Sequence, residues 1–309
     1  MPLVSRRSVP LCLIGLTAAA LGACGSTSLS DNPGGASSSS TGAGASSTTA
    51  TATVDPALVA KLPAKIKAAG KIIVGTDATY APNEFLAGDG KTVQGMDIDL
   101  FNAVAAKFGV TVDYRPAGFD TIILGVTGGK YDIGISSFSV TDERKKTVTM
   151  VSYFAAGTQW VTATGNPKKV DPANACGLSI GVQKSTTQQD DLTARSKKCT
   201  DGGKAAINLV IQDGQDQVTA DLAGGKTAAM AADSPVALYA VKQTKGQLAP
   251  LGVTYDSAPY GWVVPKAESD FAQALVDAVK AASADGSYRA ALTKWGVASG
   301  AITDFAVNP

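Results

Sequence analysis

Apolar positions fall into short runs separated by polar turns, and their spacing switches repeatedly between two periods. Lys71 to Thr76 is a continuous strand-like run, whereas Asp97 to Phe108 places Ile98, Phe101, Val104 and Ala105 at helical spacing. Val110 to Tyr114 predicts a strand, Phe119 to Val126 a helix stopped by Gly128-Gly129, and Tyr131 to Ile135 a strand. After a charged turn the alternation resumes. Ser179 to Val182, Ile207 to Ile211 and Ala228 to Ala232 predict strands, and Gln188 to Ser196, Gln217 to Ala223 and Pro235 to Gln243 the helices among them. Alternation of this kind, with short glycine-containing turns, predicts an α/β fold of mostly parallel sheet flanked by helices. Two extended segments, Thr158 to Ala163 and Tyr260 to Val264, sit where one α/β unit gives way to the next and predict linking strands between two lobes. Asp270 to Ala282 and Tyr288 to Trp295 predict closing helices packed on the first lobe.

The N-terminal fifth follows neither period. Arg6 and Arg7 precede an apolar segment from Val9 to Leu21 that is interrupted by Pro10 and too short to span a bilayer. It ends in Leu21-Gly22-Ala23-Cys24, a small-residue cleavage site closed by a cysteine, which predicts a lipoprotein signal with lipid (palmitate) carried on Cys24. The alternative is an ordinary secretory signal that happens to contain a cysteine. Ser5-Arg6-Arg7 leaves both general and twin-arginine export open. From Gly25 to about Val54 the chain is Gly, Ala, Ser and Thr, which cannot offset its ordering entropy and predicts a flexible tether, with an O-glycosylated stalk as a secondary role. The expected organisation is a signal over 1–23, lipidated cysteine and tether over 24–55, first lobe over 56–157, second lobe over 158–257, and a return to the first lobe over 258–309.

Composition narrows the chemistry. Of 309 residues, 45% are hydrophobic and 17% charged, enough for a sizeable core, and the formal charge of +1 carries no basic stripe for nucleic acid. Histidine is absent, which removes Ser-His-Asp and Cys-His nucleophile activation and the commonest zinc ligand, so neither metal nor cofactor is expected. Of four cysteines, Cys12 leaves with the signal and Cys24 takes lipid. Cys176 and Cys199 remain in an oxidising compartment, and a structural disulfide is the natural reading.

Ligands of open parallel sheets sit beyond the carboxyl ends of the strands. Here those positions are Asp77 to Tyr80, Ser136 to Ser139, Gln183 to Thr187, and Asp233, a polar set suited to a small zwitterion. Together the segments Val74-Gly75-Thr76-Asp77-Ala78-Thr79-Tyr80-Ala81-Pro82, Gly95-Met96-Asp97-Ile98-Asp99-Leu100, Ser136 to Arg144, Gly181 to Thr187 and Ala232-Asp233-Ser234-Pro235 resemble the family 3 extracellular solute-binding proteins of amino-acid ABC importers. The resemblance spans about Lys65 to Val297. Met96 replaces the usual aromatic, and Ser185 stands where glycine is common.

The resemblance implies a type II periplasmic-binding-protein-like fold, two lobes joined by two hinge strands, acting as a monomer that delivers an amino acid to permease subunits. It makes Arg144 the clamp on the ligand carboxylate, although its run Asp142 to Lys146 reads on its own as a solvated helix face. Ser136, Ser137 and Ser139 become hydrogen-bonding groups rather than turn residues. Thr187 becomes part of the carboxylate cage rather than a helix cap, and Asp233 the partner of the α-ammonium rather than a cap before Pro235. Tyr80 and Phe119 would wall the aliphatic portion. Asp77, Glu84 and Gln183 are candidates to meet the ligand side chain, which points to a polar amino acid. Two other functions share the fold: a dehydratase acting on cyclohexadienyl substrates, and a ligand-sensing ectodomain that works through a partner.

Overall fold

A computed structural model describes residues 54–309. The signal, Cys24 and nearly all of the tether lie outside the described residues. Asp55, at the tether's expected end, caps the first helix by accepting a hydrogen bond from the Ala57 N–H at 2.8 Å.

In chain order the elements are α1 (Pro56–Ala60), α2 (Ala64–Ala69), β1 (Lys71–Thr76), β2 (Thr79–Tyr80), β3 (Glu84–Leu86), β4 (Val93–Gln94), α3 (Met96–Lys107), β5 (Thr111–Pro116), α4 (Phe119–Thr127), β6 (Ile133–Gly134), α5 (Asp142–Thr147) and β7 (Thr149–Ala163). They continue with β8 (Ser179–Gln183), α6 (Thr187–Asp201), β9 (Asn208–Gln212), α7 (Gln215–Ala223), β10 (Ala229–Asp233), α8 (Ser234–Gln243), β11 (Leu248–Val264), α9 (Ser269–Ala284) and α10 (Ser287–Lys294). The main sheet runs β5-β1-β6-β11-β7-β10-β8-β9, and β2-β3-β4 form a small separate sheet. Strands β5, β1 and β6 are parallel, as are β10, β8 and β9; β7 and β11 lie antiparallel between the two triples. This is the α/β, two-lobe architecture of type II binding proteins.

Each lobe has its own core. In the first, Ile72 and Val74 of β1 meet Leu100, Phe101 and Val104 of α3 and the buried face of α9. In the second, Ile180, Val182 and Leu192 pack on one face of the sheet, and Val218, Met230 and Val236 on the other. Gly95 opens α3 with φ 140°, and a Cβ there would sit 2.1 Å from the Asn83 carbonyl oxygen, so no side chain fits. Met96, in place of the usual aromatic, is completely buried in the first core.

The linking strands differ from the expectation in length and position. Thr158 to Ala163 pairs with β10 inside the second lobe, and Val263 pairs with β6 inside the first. The stretch joining the lobes lies between, where Ala155 and Ala156 face Pro259 and Ala258 with register shifts on either side. Small residues and Pro259 interrupt the apolar run, so the crossing gives no strand signal of its own. Gly157 is required there, because a Cβ would approach the Tyr255 carbonyl oxygen to 2.6 Å. Helix α6 likewise outruns its predicted end by five residues; its last turns carry the Lys197–Asp201 pair at 2.8 Å and the bonded Cys199 in place of an apolar stripe.

Candidate functional site

The carboxyl ends of β1, β8 and β10 and the segment after β6 converge between the lobes. A cavity of about 10 Å³ there is walled by Tyr80, Phe119, Ser137, Ser139, Arg144, Thr186, Thr187, Gln188 and Asp233. The first five of these come from the first lobe and the last four from the second.

Arg144 projects from α5. Its guanidinium donates to the Ser139 carbonyl at 2.9 Å and, across the cleft, to the Ser185 carbonyl at 3.1 Å, and it lies 5.4 Å from the ring centres of both Phe119 and Phe138. Phe119 opens α4 and stacks on Phe138 at 4.6 Å. The charge run is therefore no solvated face at this residue. Burial lowers the Arg144 pKa, and Asp233 opposes that shift.

Asp233 ends β10 at the N-cap of α8, yet its carboxylate makes no capping bond. It accepts instead from the Tyr80 hydroxyl at 2.9 Å, across the cleft, and from Gln188 Nε2 at 2.9 Å. Burial raises its pKa, while the Tyr80 and Gln188 donors, the nearby Tyr260 side chain and Arg144 pull it down. Thr187 is the first residue of α6, and the capping is done by Thr186, whose hydroxyl accepts from the Gln189 N–H at 3.2 Å. Ser185 takes φ 61°, the left-handed conformation that favours glycine at this place.

Asp77, Ser136 and Gln183 lie beside the cavity rather than on its wall. Gln183 donates across the cleft to Asp77 at 2.5 Å and to the Asp213 carbonyl at 2.9 Å, while its own Oε1 is buried without a partner. Burial pushes the Asp77 carboxyl up to about 6 against the hydrogen bonds from Thr79 and Gln183, and Asp216 adds to the rise. Ser136 accepts from the Asp77 N–H at 2.9 Å and donates to Glu84 at 3.1 Å, so it positions Asp77. Glu84 is buried beneath the site with Asp97.

Sequence reasoning covers Thr186 only within the run Gln183 to Thr187, and misses Gln188 and Tyr260. Gln188 was part of a predicted helix, and only the neighbouring motif Gln183 to Thr187 signalled that the helix begins in the cleft. Tyr260 is completely buried in the strand returning to the first lobe, its hydroxyl makes no hydrogen bond, and no sequence signal separates it from a core aromatic. The disulfide forms between Cys176 and Cys199. No helix among the described residues is long and apolar enough to cross a membrane.

A cleft between two α/β lobes, with Arg144 on one wall and Asp233 on the other, is the arrangement of a two-lobe solute-binding protein. The chain belongs to the bacterial extracellular solute-binding proteins, family 3, whose pattern it matches over residues 72–298. It is 32% identical over 254 residues to the arginine-binding protein ArgT of Corynebacterium glutamicum, covering 82% of this chain and 83% of that one. Among solved structures, it resembles an ancestral arginine-binding protein bound to arginine, with a TM-score of 0.67 and 33% identity over 74% of this chain and 98% of that one. An ancestral amino acid-binding protein described as a precursor of cyclohexadienyl dehydratase matches with a TM-score of 0.67 and 28% identity, over 75% and 97% of the two chains.

Proposed function

We propose that this chain is the capture component of an amino-acid ABC importer, exported, tethered by lipid at Cys24, and selective for a cationic amino acid of the arginine kind. The observation that carries the reading is that Arg144 and Asp233 come from opposite lobes to one cavity. Arg144, with Ser139 and Thr187 beside it, takes the α-carboxylate, because a planar guanidinium offers a charged bidentate donor. Asp233 takes the α-ammonium. Tyr80 and Phe119 hold the aliphatic stem between them, an apolar contact that asks for no hydrogen bonds.

The preference for a cationic side chain is supported by the acceptors next to the cavity: the Asp77 carboxylate, the unpartnered Gln183 Oε1 and the nearby Asp216. Among charged groups that side holds acceptors in excess, and a donor-rich guanidinium or ammonium meets the need. Arginine binding in ArgT accords with this reading.

The free space beside Arg144 is about that of one water molecule, so a ligand enters only after the lobes part, and the cleft then closes over it. Titration calorimetry of the purified chain against arginine, lysine, glutamine, glutamate and cystine tests the assignment. Arginine or lysine should bind at least about tenfold more tightly than glutamine, a gap of about 1.4 kcal/mol. Tighter binding of glutamine or glutamate overturns the cationic preference, and binding of no amino acid overturns the receptor reading. Conversion of prephenate or arogenate to an aromatic product would favour the dehydratase instead.

A further inference from the structure

Ser137 lines the cleft, yet it is held in the left-handed region at φ 52°, a conformation that a residue with a Cβ adopts only at a cost. A dense buried cluster holds it there. Its N–H donates to Asp97 Oδ2 at 3.1 Å. Its hydroxyl accepts from Asn83 Nδ2 at 2.9 Å and lies 3.2 Å from Glu84 Oε2 and 3.3 Å from Asp97 Oδ2. Asn83, Glu84 and Asp97 are completely buried. Both polar groups of Ser137 that carry hydrogen are thereby engaged away from the cavity, and its carbonyl is the group left to serve the cleft.

Two carboxyl groups reach for one hydroxyl oxygen in a site that no cation among the described residues shares. Both cannot be ionised there, since like charges so close and so desolvated would repel strongly. The donors decide which one keeps the proton. Asp97 already receives the Tyr153 hydroxyl at 2.7 Å and the Ser137 N–H, whereas Glu84 receives Ser136 at 3.1 Å and has room to donate. Neither acid touches the cavity between Arg144 and Asp233.

We propose that Glu84 and Asp97, sharing one proton, are positioning residues that lock Ser137 left-handed and so fix the ligand-facing segment from Ser136 to Ser139. Asp97 supplies the carboxylate and Glu84 the neutral acid. The Gly95-Met96-Asp97 motif then serves ligand binding through Ser137, with Gly95 allowing α3 to begin close enough to Asn83 for the contact. The ionisable groups facing the pair are Asp77, Tyr80, Tyr153 and Tyr114, none of them a cation; Asp77 disfavours a second negative charge, and the Tyr153 hydroxyl gives its hydrogen bond to Asp97. Burial and the neighbouring Asp97 accordingly hold Glu84 well above the usual carboxylate range.

The role of the pair in ligand binding rests on the receptor reading, but the lock itself is observable without a ligand. In the serine-¹⁵N-labelled protein, the Ser137 amide signal followed against pH should show a step above the ordinary carboxylate range as Glu84 loses the shared proton. Glu84→Gln keeps a neutral donor beside Asp97 and cannot ionise, so that step should vanish. A flat Ser137 signal in the unsubstituted protein, or the same step in Glu84→Gln, overturns the lock. In calorimetry with arginine at neutral pH, Glu84→Gln should bind within about twofold of the parent, while Glu84→Ala should lose on the order of tenfold or more. Equal affinity in both variants, or equal loss in both, overturns the positioning role. Binding of no amino acid to the parent protein rejects the receptor reading and with it the positioning role, while the amide titration still judges the lock.

Discussion

At the scale of single residues, Arg144 is held by two main-chain carbonyls, one from each lobe, at 2.9 and 3.1 Å. A ligand carboxylate arriving at the guanidinium exchanges these neutral acceptors for a charged one, which makes the exchange favourable. Arg144→Ala should weaken binding by about 2–5 kcal/mol, as truncation of one member of a buried charge pair does. Arg144→Lys keeps the charge but loses the fork, and should recover less than half of that loss in calorimetry. Unchanged affinity in the alanine variant would reject the clamp. Asp77 gives a second prediction, on stability. Its folded pKa of about 6 stands above the ordinary 3.8, so its burial favours the folded state at low pH and that advantage is lost as pH rises from about 4 to 6. Asp77→Asn should therefore melt above the parent protein at pH 7, and the difference should disappear below about pH 4. Melting curves at the two pH values decide it, and a gap that widens on acidification contradicts the stated burial.

At the scale of elements, the periodic segments were legible because each is amphipathic within a single lobe. Strand β1 and helices α3, α4 and α8 start or end within a residue or two of where their apolar spacing places them. The crossing of β7 and β11 was not, since Ala155 to Gly157 and Ser257 to Pro259 carry no periodic signal and pair only because the lobes on either side hold them together. The site divides in the same manner. Residues at strand ends, such as Asp77, Ser137 and Asp233, follow from topology, whereas Gln188 and Tyr260 enter through packing that no spacing encodes. The bridge from Cys176 to Cys199 ties the loop before β8 to the far end of α6, closing a 23-residue separation. In the chain-entropy account such a loop is worth about 3 kcal/mol. Because the bridge stands at the end of α6 remote from Thr187, Cys176→Ser/Cys199→Ser should lower the melting temperature by several degrees yet leave the affinity for arginine within twofold. A large affinity loss would show instead that the bridge sets the orientation of the helix start.

At the scale of the whole molecule, the closed arrangement is held by contacts of two kinds. Tyr80 to Asp233 and Arg144 to Ser185 use the groups assigned to the ligand, so ligand entry replaces them. Lys184 to Asp120, at 2.7 Å, spans the lobes without entering the cavity, and burial leaves both side chains partly exposed at 48% and 28%. That pair adds to closure whether or not a ligand is present, yet an exposed ion pair contributes only a small amount. Closure and binding are linked, so destabilising the closed form by this amount lowers the apparent affinity by the same free energy. Lys184→Gln should thus weaken arginine binding by no more than about fivefold, with the loss shrinking in high salt as the parent pair is screened. Small-angle scattering should show a more open ligand-free protein and an unchanged ligand-bound one. An affinity loss independent of salt would place Lys184 in contact with the ligand itself, and no change in either measurement would remove the pair from the closing equilibrium.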